Sequence, residues 1–168
     1  MKKRDFIKAS LLGGLGLMSA GSSFGNELEK PRKTGGLKHW VWENPDEKED
    51  VEFLKERYGR YFQAGIRGMF FEADSEKHFR MAKAAGLEAH RWMWTMNRGE
   101  KELLDKHPDW YAVSRDGKSC ATNPPYVNYY RWLCPSKPEV QEYLKTQVKN
   151  ILAKDYVDGI HLDYVRYC

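Results

Sequence analysis

Asp163 lies in the chain's closing run, Val157-Asp-Gly-Ile-His-Leu-Asp-Tyr-Val-Arg-Tyr-Cys168. In an extended segment side chains alternate between faces, so Ile160, Leu162 and Tyr164 share one face and Gly159, His161 and Asp163 the other. The apolar face suits packing against helices. The opposite face brings a carboxylate and an imidazole to the strand's end. A strand-end carboxylate is suited to attack or stabilise an anomeric carbon, because glycosidic cleavage passes through an oxocarbenium-like transition state. His161 could orient Asp163 or bond a sugar hydroxyl, and Arg166 could hold the carboxylate ionised by Coulomb attraction. Plainer roles compete: Asp163 as a loop cap or surface partner of Arg166, and His161 as a satisfied core residue.

Other residues suit the wall of a binding cleft. Glu72 ends the apolar run Met69-Phe-Phe-Glu72 and is expected at a ligand mouth, with loop capping as the alternative. His90, Trp92 and Trp94 alternate with Ala89, Arg91 and Met93. If they face inward they make a polar and aromatic wall, but Arg91 then points towards helices, which leaves the facing open. Trp40 and Trp42 likewise share a face, and core filling competes with ligand contact for all these tryptophans. Asn97, Arg131 and Trp132 bound an aromatic-rich stretch that reads as a cleft wall, with a plain hairpin cover as the alternative.

These groups need elements to hold them. Leu37–Trp42 reads as a strand, followed by an acidic turn. A helix runs over about 50–63, with Leu54, Tyr58, Tyr61 and Phe62 on one face. Residues 66–73 form a nearly continuous apolar strand of the kind covered on both faces. A helix over 75–85 and a strand over 87–96 follow. Residues 97–135 read as one long irregular insert with a turn at Asp116-Gly117. Ser136-Lys-Pro-Glu139 has capping-box spacing and opens a helix continued by Val140, Leu144, Val148 and Ile151. Val157–Val165 is the fourth strand. Strands alternating with helices imply parallel pairing through right-handed crossovers. No glycine fingerprint follows the first strand, so a barrel fits better than a doubly wound sheet. A whole eight-stranded barrel typically takes about 250 residues, so four β/α units make a partial TIM barrel with an exposed last strand.

Composition narrows the field further. The 168 residues carry a net charge of +4, with six Trp and ten Tyr. Residues 1–25 alone hold a net +3, so the rest is close to neutral and no basic stripe suggests nucleic acid. That leader has a charged start, a Gly-rich apolar run and small residues near 19–25, the layout of an export signal. Lys3-Arg4-Asp5-Phe6-Ile7-Lys8 is similar to the twin-arginine type with Lys in place of the first Arg. A periplasmic or secreted protein is expected, with no stable membrane insertion after signal removal. Residues 26–36 read as a polar linker. Cys120, Cys134 and Cys168 are an odd count for an exported chain, and a 120–134 loop closure is one alternative.

The stretches His107-Pro-Asp-Trp-Tyr-Ala-Val, Tyr130-Arg-Trp-Leu-Cys-Pro, Pro138-Glu-Val-Gln-Glu-Tyr-Leu and Val157-Asp-Gly-Ile-His-Leu-Asp-Tyr-Val-Arg-Tyr, in that order, resemble the bacterial family 10 glycosylhydrolase-like proteins over roughly 37–168. That family is similar to the α-amylase and α-galactosidase type of barrel. The resemblance implies a glycoside hydrolase acting on poly- or oligosaccharide, with Asp163 as nucleophile and the acid/base on later strands. Amylase-type barrels commonly carry Arg two residues before that carboxylate; His161 stands there in this chain. No cofactor is expected. Two other classes stay open: a carbohydrate-binding pseudoenzyme, and a metal-dependent barrel hydrolase built on His39, His90, His161 and Asp163. Pairing through the exposed half-barrel edge is a further expectation.

Overall fold

The computed structural model describes residues 36–167, so the leader and nearly all of the linker lie outside the described residues. Four strands, β1 (His39–Glu43), β2 (Ile66–Phe71), β3 (Glu88–Trp94) and β4 (Gly159–Asp163), alternate with helices α1 (Val51–Gln63), α2 (Glu76–Ala84), α3 (Lys101–Lys106) and α4 (Pro138–Leu152). The strands pair in parallel in chain order β1-β2-β3-β4. Among the described residues β1 and β4 each have one paired edge and one open edge.

Local chemistry sets the element boundaries. The Asp50 carboxylate accepts the Phe53 N–H at 2.8 Å and starts α1; Ser75 accepts the His78 N–H at 3.3 Å and starts α2. Gly65 and Gly86 follow these helices at φ of 97° and 87°, where a Cβ would clash with its own backbone. The start of α4 differs from the sequence expectation. Its cap is Lys137, not Ser136, and no side chain caps it. Pro138 then occupies the first helical position, where its fixed φ fits and its missing N–H is not needed.

One core lies between the sheet and α1 and α2, built from Leu54, Tyr58, Met69, Phe71, Phe79, Ala82, Leu87 and Ala89. Asp158 locks β4 onto β3: its carboxylate accepts the Ala89 N–H and its own N–H donates to the Ala89 carbonyl, both at 2.9 Å. The insert has more structure than expected. It contains α3, a single 3-10 turn at Pro108–Trp110, and isolated bridges joining Asn97 to Trp132, Tyr111 to Leu133 and Val113 to Ser119. A second core of Met96, Leu103, Tyr111, Trp132, Leu133 and Val140 underlies it and ties it to α4. Among the described residues no helix is long and apolar enough to cross a membrane.

Candidate functional site

The sheet face turned away from the helices carries an aromatic and imidazole surface. Register places Trp40 beside Gly68, His90 beside Gly159, Trp92 beside His161 and Trp94 beside Asp163. Trp40 stacks on Phe70 at 4.6 Å between ring centroids and meets His90 edge-on at 4.6 Å. Phe70 in turn lies 4.4 Å from the His161 ring. Trp42 meets Trp92 edge-on at 5.8 Å, and Trp92 meets Trp94 at 6.1 Å. Trp42 and His161 are exposed, whereas Trp40, Trp92 and Trp94 are half-buried.

Two glycines make room for these rings. A Cβ on Gly68 would stand 2.3 Å from Trp40 Cε3, and a Cβ on Gly159 would stand 2.7 Å from His90 Cε1. The rings therefore lie across bare backbone. Burial pushes the His90 imidazole below its ordinary pKa; Glu88 and Asp158 pull upward and His161 downward. His90 is thus neutral at pH 7, able to donate one hydrogen bond and accept another.

The facing left open in the sequence resolves with Arg91 on the helix side. Its guanidinium donates to the carbonyl oxygens of Phe71, at 3.3 Å, and Trp92. Burial lowers its pKa against the pull of Asp74 and Glu72. Backbone carbonyls thus accommodate a charge the sequence pattern made awkward.

Asp163 sits at the carboxyl end of β4. Its Oδ1 accepts the N–H of Tyr164 at 2.7 Å, and no ion pair engages it among the described residues. Alternation along the strand places Tyr164 with Ile160 and Leu162, but the backbone turns left-handed there, with φ of 54°. That turn brings the Tyr164 ring beside Trp94, at 5.1 Å, and Trp132, at 5.6 Å. A bulky residue in this region costs energy and persists only when its surroundings fix it.

Arg166 does not pair with Asp163. Its guanidinium lies over the rings of Trp132 and Tyr164, 5.4 Å from each centroid. Three residues expected along a ligand wall are instead used by the insert itself. Asn97 is 2% exposed, and its Oδ1 accepts the Arg131 N–H at 2.8 Å. Arg131 donates to the Ala121 carbonyl at 2.6 Å. Trp132 is 1% exposed, in the second core. Burying the indole gains more than leaving it in solvent, so Asn97 and Trp132 shape the insert from inside it, while Arg131 is half-buried. Among the described residues no disulfide engages Cys134, so the insert is closed by these bonds and not by a 120–134 bridge.

Glu72 is half-buried beyond β2; its N–H donates to the Glu43 carbonyl at 3.0 Å. Among the described residues its carboxylate makes no hydrogen bond or ion pair. On the helix side, Glu43, Glu49 and His78 bring possible ligand atoms within 4.8 Å of one another. Those carboxylates are already engaged. Arg57 donates to Glu43 at 2.9 Å and to Glu49 at 2.7 Å, and the Tyr58 hydroxyl donates to Glu43 at 2.8 Å. A cation would have to displace Arg57, so the cluster reads as a structural ion network. Burial and the Glu43 carboxylate push the Tyr58 hydroxyl well above its ordinary pKa. The histidines weighed for a metal site do not form such a group among the described residues.

Sequence reasoning missed Phe70, Tyr164 and the two glycines. Strict alternation back from Glu72 puts Phe70 and Gly68 on the inner face, a signal hidden by the apolar residues on both faces of β2. Nothing local marks the left-handed turn at Tyr164.

No family model matches the chain, and no curated protein matches it. Solved structures do. A noncanonic maltogenic α-amylase from Thermotoga neapolitana is similar at TM-score 0.59 and 15% identity, over 78% of this chain and 40% of its own. A β-galactosidase from the psychrophilic Marinomonas ef1 is similar at TM-score 0.53 and 15% identity, over 76% and 21%. An α-amylase from Lactobacillus plantarum is similar at TM-score 0.53 and 12% identity, over 75% and 38%. The chain thus spans less than half the length of each. At these identities the likeness shows the fold alone: four β/α units arranged as part of a TIM barrel of the kind found in glycoside hydrolases.

Proposed function

We propose that the chain forms the nucleophile-bearing part of a glycoside hydrolase acting on oligo- or polysaccharide. The observation that carries this reading is the position of Asp163. It ends β4 on the same face as exposed Trp42 and His161, with Trp94 beside it in register. Active sites of β/α barrels gather at the carboxyl ends of the strands, and Trp rings offer flat platforms with large contact area.

In this reading a carboxylate oxygen of Asp163 attacks the anomeric carbon. A carbon–oxygen bond forms, and the bond to the leaving group breaks with its electron pair departing on the leaving oxygen. Water then hydrolyses the glycosyl ester, returning the carboxylate and releasing the sugar. His161 bonds sugar hydroxyls beside the reacting carbon. Trp40, Trp42, Trp92 and Trp94 hold the sugar rings, with Glu72 and neutral His90 as polar contacts. Arg166 acts through Tyr164, fixing the ring that follows the nucleophile. Retention requires a second carboxyl ~5–5.5 Å from the first. It belongs to further β/α units paired with the open edges of β1 and β4. Family 10 membership and export to the periplasm or beyond are parts of the same proposal; protein sequencing of the mature amino terminus tests the export.

A second reading, a carbohydrate-binding pseudoenzyme, is favoured by His161 standing where amylase-type barrels carry Arg. Dinitrophenyl glycosides separate the two, because their leaving group departs without acid catalysis. The hydrolase reading expects dinitrophenolate release from a gluco- or galactoside by the full chain, lost in Asp163→Asn. Saccharide binding with no release from any activated glycoside would favour the pseudoenzyme.

A further inference from the structure

The insert carries a recess whose lining does not include Asp163. It is a cavity of about 450 Å³, within the size range of small-molecule sites. Its lining includes Asp116, Lys118, Asn123, Tyr126 and Tyr167. Tyr167 follows β4 by four residues, and Tyr129, in the same insert, stacks on Trp94 at 6.2 Å. The recess is therefore joined through covalent and stacking contacts to the carboxyl end of the sheet, where Asp163 stands.

Its aromatic residues behave differently from their neighbours. Tyr129 and Tyr130 pack on each other at 5.0 Å, and Tyr130 packs on Trp132 at 5.7 Å. Tyr126 is 88% exposed and Tyr167 67% exposed, and among the described residues no ring or cation lies over either. Tyr126 is also held at φ of 64°, where a residue with a Cβ is strained. A large flat side chain is thus kept in solvent at a conformational cost, although among the described residues no ring or cation packs on it. Such an outlier points to function.

The polar groups state what kind of ligand fits. Lys118 and Asp116 pair at 3.1 Å, so their charges offset each other. The Ser114 hydroxyl donates to Asp116 at 2.6 Å, and with the lysine it holds that carboxyl below its ordinary pKa. The ammonium has three N–H donors and this pair uses one. The Asn123 side chain makes no hydrogen bond among the described residues. A charged ligand would meet a compensated pair, and an apolar one would strand these donors and acceptors without partners. A neutral molecule with flat faces and many hydroxyls satisfies both requirements.

We propose that this recess is a second saccharide-binding site, taking a neutral oligosaccharide with Tyr126 and Tyr167 as ring platforms and Asn123, Lys118 and Asp116 bonding its hydroxyls. It rests on the carbohydrate reading above and extends it to a place away from Asp163.

The test is a titration of the isotope-labelled full chain with maltohexaose and, separately, with a β-1,4-galactotetraose, followed by backbone amide shifts. The expected result is saturable shifts at Val113, Lys118, Asn123 and Tyr126 with at least one of the two sugars. Tyr126→Ala and Asn123→Ala should each weaken that binding, the former by roughly tenfold from loss of a ring platform. Both positions are exposed and lie outside the two cores, and circular dichroism of the variants checks the fold. Shifts confined to Trp42, Trp92 and His161, unchanged in Tyr126→Ala, would overturn the second site and leave the hydrolase reading standing. Shifts at the recess without any on the inner face would support the second site and count against that reading. No shift anywhere with either sugar would overturn the second site, while the dinitrophenyl glycoside assay still decides the first.

Discussion

Replacing Gly68 by alanine should push Trp40 off the sheet. The added Cβ would stand 2.3 Å from Trp40 Cε3 and Cζ3 and 2.5 Å from Cη2. Carbon atoms rest at about 3.5–4.0 Å, so the indole must retreat by about 1.2 Å or more. Its retreat is opposed, because the ring is stacked on Phe70 and abuts His90. Overpacking of this kind costs about 1–3 kcal/mol. The substitution also removes a glycine from a strand, worth about 0.5–1 kcal/mol in the other direction. The expected net loss is about 0–2.5 kcal/mol, centred on about 1 kcal/mol, read as a lower urea midpoint at unchanged slope, with altered tryptophan emission. Gly59→Ala is the control. Gly59 lies inside α1 with nothing within 4 Å of a new Cβ, so alanine there should stabilise by about 0.5–1 kcal/mol. Shrinking the ring in Gly68→Ala/Trp40→Leu should recover part of the loss. If Gly68→Ala stabilises as Gly59→Ala does, Trp40 does not lie over Gly68 and the inner-face packing described above is wrong.

Tyr58→Phe should cost about 1–3 kcal/mol in urea unfolding, because it strands partners of a buried hydroxyl. That hydroxyl lies 2.8 Å from both Glu43 and His78, and a loss below ~0.5 kcal/mol would count against the network. His90 gives the pH dependence. Its folded pKa lies below 6.5, so the unfolded chain binds the proton more readily and stability rises with pH. The contribution is complete above pH 6.5 and fades as pH falls below it; His90→Phe should flatten that part of a stability profile between pH 8 and 5, and an unchanged slope would contradict the assignment. Tyr126→Gly should raise stability by about 0.5–1 kcal/mol, since it removes a left-handed penalty of ~1–2 kcal/mol at some entropic cost and loses no packing. A lower midpoint would mean that the ring packs on something.

The β/α order was legible because the elements that carry it are strongly patterned. Leu54, Tyr58, Tyr61 and Phe62 mark α1 without ambiguity; β2, β3 and β4 fall within their expected ranges, and β1 runs one residue past its own, to Glu43. The insert was less legible. α3 spans six residues, too few for a helical period to show, and the second core joins residues far apart in sequence, such as Leu103, Trp132 and Val140. The same distance hid the structural use of Asn97, Arg131 and Trp132: their types suit a ligand wall, and only the fold shows their atoms meeting one another. Tyr164 was misplaced because alternation holds only while the backbone stays extended. Period two grouped His90, Trp92 and Trp94 on one face but left its direction open, because Arg91 on the other face needed the backbone carbonyls that only the fold supplies.

Covalent trapping shows whether Asp163 is a nucleophile. The full chain should be incubated with 2-deoxy-2-fluoro-glucosyl and -galactosyl fluorides, whose fluoride leaves without protonation and whose fluorinated sugar slows hydrolysis of the ester. Mass spectrometry should then find one fluorosugar per chain, on the peptide containing Asp163, and none on Asp163→Asn. A chain that stays unlabelled by either reagent, or a label that persists in Asp163→Asn, would contradict the account.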